Sequence, residues 1–124
     1  MKILLVEDSA LTRCMLKDLL VKFGHEVIAE VENGNEVIKY FTKHKPAVVF
    51  LDIILPGKSG MEVLTDLQSL DPKTRIVVIT AVDQEEINRQ LSDKGVHAML
   101  HKPFSFDDFK AVMESLAGTS DAGL

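Results

Sequence analysis

Five short, uninterrupted apolar runs constrain this chain more than any other feature: I-L-L-V (3–6), V-I-A (27–29), A-V-V-F-L (47–51), I-V-V-I (76–79) and A-M-L (98–100). A strand with one wet face alternates apolar and polar residues, whereas a continuous apolar run suits a strand covered on both faces. Such strands are parallel, and parallel neighbours need a crossover helix between them. Amphipathic segments do separate the runs. The pattern therefore predicts a doubly wound α/β fold: a five-stranded parallel sheet in a (βα)5 three-layer sandwich with right-handed crossovers.

The helices can be read from stripes and caps. From Ser9, the residues Met15, Leu16, Leu19, Leu20 and Phe23 form one stripe, and Gly24 is placed to end the helix in a left-handed turn. Val37, Ile38 and Phe41 predict a shorter helix closed before Pro46. Ser59-x-x-Glu62 is a capping box ahead of Val63, Leu64, Leu67 and Leu70, with Asp71-Pro72 as the stop. Ser105-x-x-Asp108 heads a last helix carrying Phe109, Val112, Met113 and Leu116. The fourth helix, after Asp83, offers only Ile87 and Leu91 to the core, so weak docking and easy local opening are expected.

At 124 residues the chain suits one domain able to bury roughly two thirds of its unfolded surface, and residues 1–117 are expected to form it. The tail G-T-S-D-A-G-L (118–124) has no period and is expected to fray or to begin a linker. Nineteen acidic residues against fourteen basic ones give a formal charge of −5, with the basic residues scattered, which argues against direct nucleic-acid binding. No run approaches a membrane span, and the N-terminus has no signal-peptide pattern. The one cysteine, Cys14, cannot form an internal disulfide and is expected to pack on the first helix. A reducing cytoplasm is the expected compartment, without membrane insertion.

Ligands in doubly wound sheets bind beyond the carboxyl ends of the strands. Glu7 and Asp8 follow the first strand, Asp52 the third, Thr80 the fourth and Lys102 the fifth. Taken singly, each has a plain structural explanation: Asp8 as a cap, Thr80 as a β-branched strand residue, Lys102 as a solvated charge. Asp52 resists that treatment, since Ile53, Ile54 and Leu55 follow it with no helix to cap. Carboxylates gathered on one rim repel unless a cation sits between them, and a small acidic set of this kind suits Mg²⁺.

Four stretches, V-E-D-S (6–9), L-D-I-I-L-P-G-K-S-G (51–60), V-V-I-T-A (77–81) and H-K-P-F (101–104), resemble the receiver domain of two-component response regulators, chiefly the single-domain chemotaxis type. The resemblance spans residues 2 to about 117 and implies strand order 2-1-3-4-5. It implies Asp52 as phosphoacceptor, with Asp8, Asp52 and the backbone carbonyl of Ile54 as ligands of Mg²⁺ (or Mn²⁺), and Glu7 acting through water. Thr80 would bond a phosphoryl oxygen, Ala81 would leave room for the group, and Lys102 would pair with it. A cis Lys102–Pro103 bond is implied as well. The expected partners are a histidine kinase or histidine phosphotransfer protein upstream and a protein target downstream. That target would read the face built by the fourth helix, last strand and last helix.

Two departures shape further expectations. Met99 stands where many receivers carry an aromatic that works with the threonine as a switch, so a softer, graded response is expected. Ile54 and Val82, two residues past the acceptor and past the threonine, are apolar, which implies a long-lived phosphoryl state. His97 and His101 flank the last strand and read as surface residues. A hydrolase of the haloacid dehalogenase type would want an acid or Thr where Ile54 stands, and a flavodoxin would want a Ser/Thr/Gly-rich loop where Glu7-Asp8-Ser9-Ala10 stands. A receiver belonging to a longer regulator, with a DNA-binding or enzymatic output, is the other alternative. The expectation is a stand-alone signalling receiver that catalyses only its own phosphorylation and dephosphorylation.

Overall fold

The computed structural model describes residues 1–122, with side chains described through Ala117. The elements run β1 (Lys2–Val6), α1 (Ala10–Lys22), β2 (Glu26–Val31), a 3₁₀ turn (Gly34–Glu36), α2 (Val37–His44), β3 (Val48–Asp52), α3 (Gly60–Leu70), β4 (Arg75–Thr80), α4 (Glu85–Asp93), β5 (Ala98–His101) and α5 (Phe106–Ala122). The tail expected to fray from residue 118 lies outside the residues whose side chains are described.

All strand pairs are parallel, in the order β2-β1-β3-β4-β5. Because strand side chains alternate, the apolar runs feed two cores. Ile3, Leu5, Val48, Phe50, Val77 and Ile79 face α1 and α5, meeting Leu16, Leu20 and Phe109. Leu4, Val6, Val49, Leu51, Ile76 and Val78 face the other way, meeting Phe41, Leu64, Leu67 and Leu91. Double coverage holds for β1, β3 and β4, whose apolar residues are fully or nearly fully buried. It does not hold for β2 and β5. These are the sheet edges, and Val27, Ile28, Ala29, Ala98 and Met99 are only half-buried.

Capping chemistry fixes where the helices begin and end. The Ser9 and Ser59 hydroxyls accept from the Thr12 and Glu62 amides. Ser105 and Asp108 form the full reciprocal box at 3.0 Å each way. Gly24, at φ +85°, closes α1 in a Schellman turn, with His25 N–H donating to the Leu20 carbonyl and Gly24 N–H to that of Val21. Two stripe residues depart from expectation. Leu70, at the last position of α3, is exposed. Met15 is exposed, because Leu16 and Leu20 already fill the line of contact with the sheet. Cys14 is likewise exposed rather than packed. No described helix is long and apolar enough to cross a membrane.

Candidate functional site

The parallel strands end on one rim, and the polar residues at those ends converge there. Asp52 is the last residue of β3, paired in register with buried Ile79 and preceded by fully buried Leu51. It is itself only 3% exposed, so the apolar strand holds its carboxylate at the rim with little freedom. Glu7, just past β1, is fully buried, and Asp8 beside it is open to solvent. Glu7, Asp8 and Asp52 each offer an oxygen within 4.8 Å of the other two.

Lys102 enters this group from the end of β5 through a cis Lys102–Pro103 bond. Its Nζ donates to Glu7 Oε1 at 3.0 Å and to Asp52 Oδ2 at 3.1 Å. Ile54 N–H donates to Asp52 Oδ1 at 2.9 Å, so both oxygens of the Asp52 carboxylate are held. Glu7 Oε1 also accepts from Ser9 N–H. Glu7 Oε2 lies 2.8 Å from the same Nζ, so the ammonium sits against both oxygens of the Glu7 carboxylate.

The electrostatics follow from this crowding. Burial pushes the Glu7 carboxyl above its ordinary pKa, and the charge of Asp52 adds to the shift, while the bonds from Lys102 and Ser9 offset it only in part. Burial works against the Lys102 ammonium, but its bonds to Glu7 and Asp52 outweigh that and hold its pKa above the usual value. Three carboxylates against one ammonium leave two negative charges when all are ionised. Three neighbouring carboxylates with an open side at Asp8 form an all-oxygen donor set that fits Mg²⁺ or Mn²⁺.

Thr80, at the end of β4, is fully buried, and its Oγ1 accepts from Val82 N–H at 3.0 Å. Ala81 beyond it is exposed. Met99, on the edge strand, is half-buried against the core layer that includes Leu91 of α4. His101 is not a free surface group: its Nε2 lies 3.0 Å from Asn88 Oδ1 on α4 and 3.7 Å from Asp83. His97 similarly meets the Ser115 hydroxyl at 2.9 Å.

Two contributors were missed in the sequence. Arg13 donates from NH1 to the Glu7 carbonyl at 2.8 Å, and the only available sign was its place in the first turn of a helix starting beside the acidic pair. Gly34 is pressed against the segment that follows Asp52: its N–H bonds the Pro56 carbonyl, and a Cβ there would collide with the Lys58 carbonyl. Its sequence signal, Asn-Gly-Asn, reads only as a turn.

A model of the response regulator receiver domain family matches residues 3–114. The chain is 36% identical over 106 residues to a chemotaxis protein CheY of Bacillus subtilis, covering 86% of this chain and 88% of that protein. Among solved structures it is similar to the BeF3-activated N-terminal receiver domain of Klebsiella pneumoniae RstA, at 27% identity and TM-score 0.83, covering 92% and 96% of the two chains. It also shares the fold of a CheX-CheY-BeF3-Mg complex from Borrelia burgdorferi, at 24% identity and TM-score 0.88, covering 93% of this chain and 87% of that one. With its sheet order and the four strand-end groups at one rim, the chain belongs to the response regulator receiver domain family.

Proposed function

We propose that this receiver accepts a phosphoryl group on Asp52 from the phosphohistidine of a histidine kinase or histidine phosphotransfer protein. One observation carries the reading: the Lys102 ammonium bridges a buried strand-end carboxylate, Asp52, and a second acid, Glu7, on the rim where Asp8 opens to solvent. An Asp52 carboxylate oxygen forms the new P–O bond as the P–N bond of the donor breaks. The donor imidazole keeps the electron pair and takes a proton from solvent. A carboxylate suffices as nucleophile because phosphoryl transfer depends mainly on in-line placement and charge stabilisation.

Asp8, Asp52 and the Ile54 carbonyl would hold Mg²⁺ or Mn²⁺, with Glu7 acting through water, and the ion would neutralise charge on the phosphoryl oxygens. Lys102 pairs with a phosphoryl oxygen once Asp52 is esterified. The Thr80 hydroxyl, an acceptor towards Val82, keeps its hydrogen to donate to another. Ala81 leaves that side open.

Esterification exchanges a carboxylate for a group with three strong acceptor oxygens. Thr80 is drawn towards it, and the change spreads through Ala81 and Val82 to the α4–β5–α5 face, where a protein target binds. Met99, a flexible side chain, makes this response graded. With Ile54 and Val82 apolar, no polar side chain at these positions aligns a hydrolytic water, and the phosphoryl state is long-lived. The setting is the cytoplasm, without direct nucleic-acid contact, and the receiver catalyses only its own phosphorylation and dephosphorylation.

The test is intact-mass measurement after incubation with acetyl phosphate and Mg²⁺. One PO₃ group per chain is expected in the wild type and none in Asp52→Asn. Labelling that survives in Asp52→Asn, or sustained turnover of a generic phosphatase substrate in place of stoichiometric labelling, would overturn the reading.

A further inference from the structure

Asp8 is held unlike the other members of the site. Glu7 and Asp52 are fixed by hydrogen bonds to their carboxylates. The Asp8 carboxylate is exposed and receives no hydrogen bond or ion pair from any described residue, so the backbone, which sets the direction of its Cα–Cβ bond, is what limits where the carboxylate can reach. That backbone is clamped one peptide upstream. Glu7 N–H donates to the Val31 carbonyl at the end of β2 at 2.9 Å. The Glu7 carbonyl, which shares a planar peptide with the Asp8 amide, accepts from Arg13 NH1 at 2.8 Å.

Arg13 is itself braced. Its side chain, 18% exposed, lies with Nε 3.5 Å from Glu30 and NH1 3.7 Å from Glu32, one acid in β2 and one just past it. The guanidinium fork thus spans three elements, and the planar geometry that lets it serve a carbonyl and a carboxylate together is not available to a lysine. We propose that Arg13 is a positioning residue: by fixing the peptide between Glu7 and Asp8, it aims the Asp8 carboxylate at the divalent-cation site. This rests on the proposed function only for the identity of that cation site.

A purely structural Arg13 and a positioning Arg13 make opposite predictions for cation binding. Removing a positive charge near an acidic site, with nothing else changed, tightens binding of a divalent cation. Losing the aim of a ligand weakens it, and changes to groups that orient metal ligands typically cost about 10- to 100-fold in affinity. The experiment is calorimetric titration of Mg²⁺, without any phosphodonor, into the wild type, Arg13→Met, Arg13→Lys and Glu32→Gln, with each fold checked by circular dichroism.

Arg13→Met is expected to bind Mg²⁺ about 10-fold more weakly, Arg13→Lys to be intermediate, and Glu32→Gln, which leaves the bond to the Glu7 carbonyl in place, to stay within about 2-fold of the wild type. Affinity unchanged or tighter in Arg13→Met overturns the inference. If that variant does not fold, unchanged affinity in Arg13→Lys does so. Wild-type labelling on Asp52 with Arg13-independent Mg²⁺ affinity would sink the positioning role and leave the proposed function standing. A wild type that binds no Mg²⁺ would sink the positioning role, whereas failure of the proposed function is read separately, from absent Asp52 labelling.

Discussion

Glu7 is fully buried, and its pKa lies above the ordinary 4.5 through burial first and the charge of Asp52 as well, with the Lys102 and Ser9 bonds offsetting only part of the shift. The sign of the consequence is fixed by linkage. A carboxyl whose folded pKa is raised contributes stability that is fully present below the unfolded value and is lost as pH rises through the folded one. The metal-free protein therefore loses stability at Glu7 as it ionises. Glu7→Gln removes that titration. In EDTA, the stability of Glu7→Gln relative to wild type is expected to improve from pH 4 to pH 8, as measured by urea denaturation. A constant or falling difference would contradict it. Lys102, whose pKa is also raised, keeps its contribution below the ordinary 10.5 and loses it only above, so it does not disturb this comparison.

At the scale of elements, α4 is the least anchored of the helices from α1 to α4. Leu91 is its one fully buried residue, Ile87 is half-buried, and its N-cap, Gln84, makes no side-chain bond to the helix. Amide exchange across residues 85–93 is expected to be faster than across α1 or α3; equal protection would mean that α4 is held as firmly as they are. The contrast was legible in advance, since a stripe of two apolar residues cannot dock as one of four does. The tie between His101 and Asn88 was not legible, because two polar residues thirteen apart carry no period. Nor was the contact of Gly34 with the loop after β3. A methyl group at that position would collide with backbone, which cannot rotate away as a side chain can. Gly34→Ala is therefore expected to lower stability by about 2 kcal/mol or more, with an unchanged urea m-value. A loss under about 0.5 kcal/mol would show that the two loops separate freely.

At the scale of the whole molecule, sheet order and rim are one fact. Once continuous apolar runs make the strands parallel, every carboxyl end lies on the same side, and acids scattered from position 7 to position 52 become neighbours. This is why the meeting of Glu7, Asp8 and Asp52 on one rim could be read from strand ends without coordinates. The edges could not be read so well, since V-I-A and A-M-L look as apolar as the central runs although each has only one neighbouring strand. Gathering like charges on one rim also opposes folding, and a cation that binds only the folded state reverses the balance. With Mg²⁺ at a hundred times its dissociation constant, the expected gain is about 2.7 kcal/mol, removable with EDTA. Asp8→Ala should forfeit this gain while being no less stable than the wild type in EDTA, because it removes one of three mutually repelling acids and breaks no bond to a described residue. Thermal denaturation of both proteins, with and without Mg²⁺, gives the answer. Should Asp8→Ala keep the full stabilisation by Mg²⁺, the ion would be bound elsewhere and the acidic rim would not be its site.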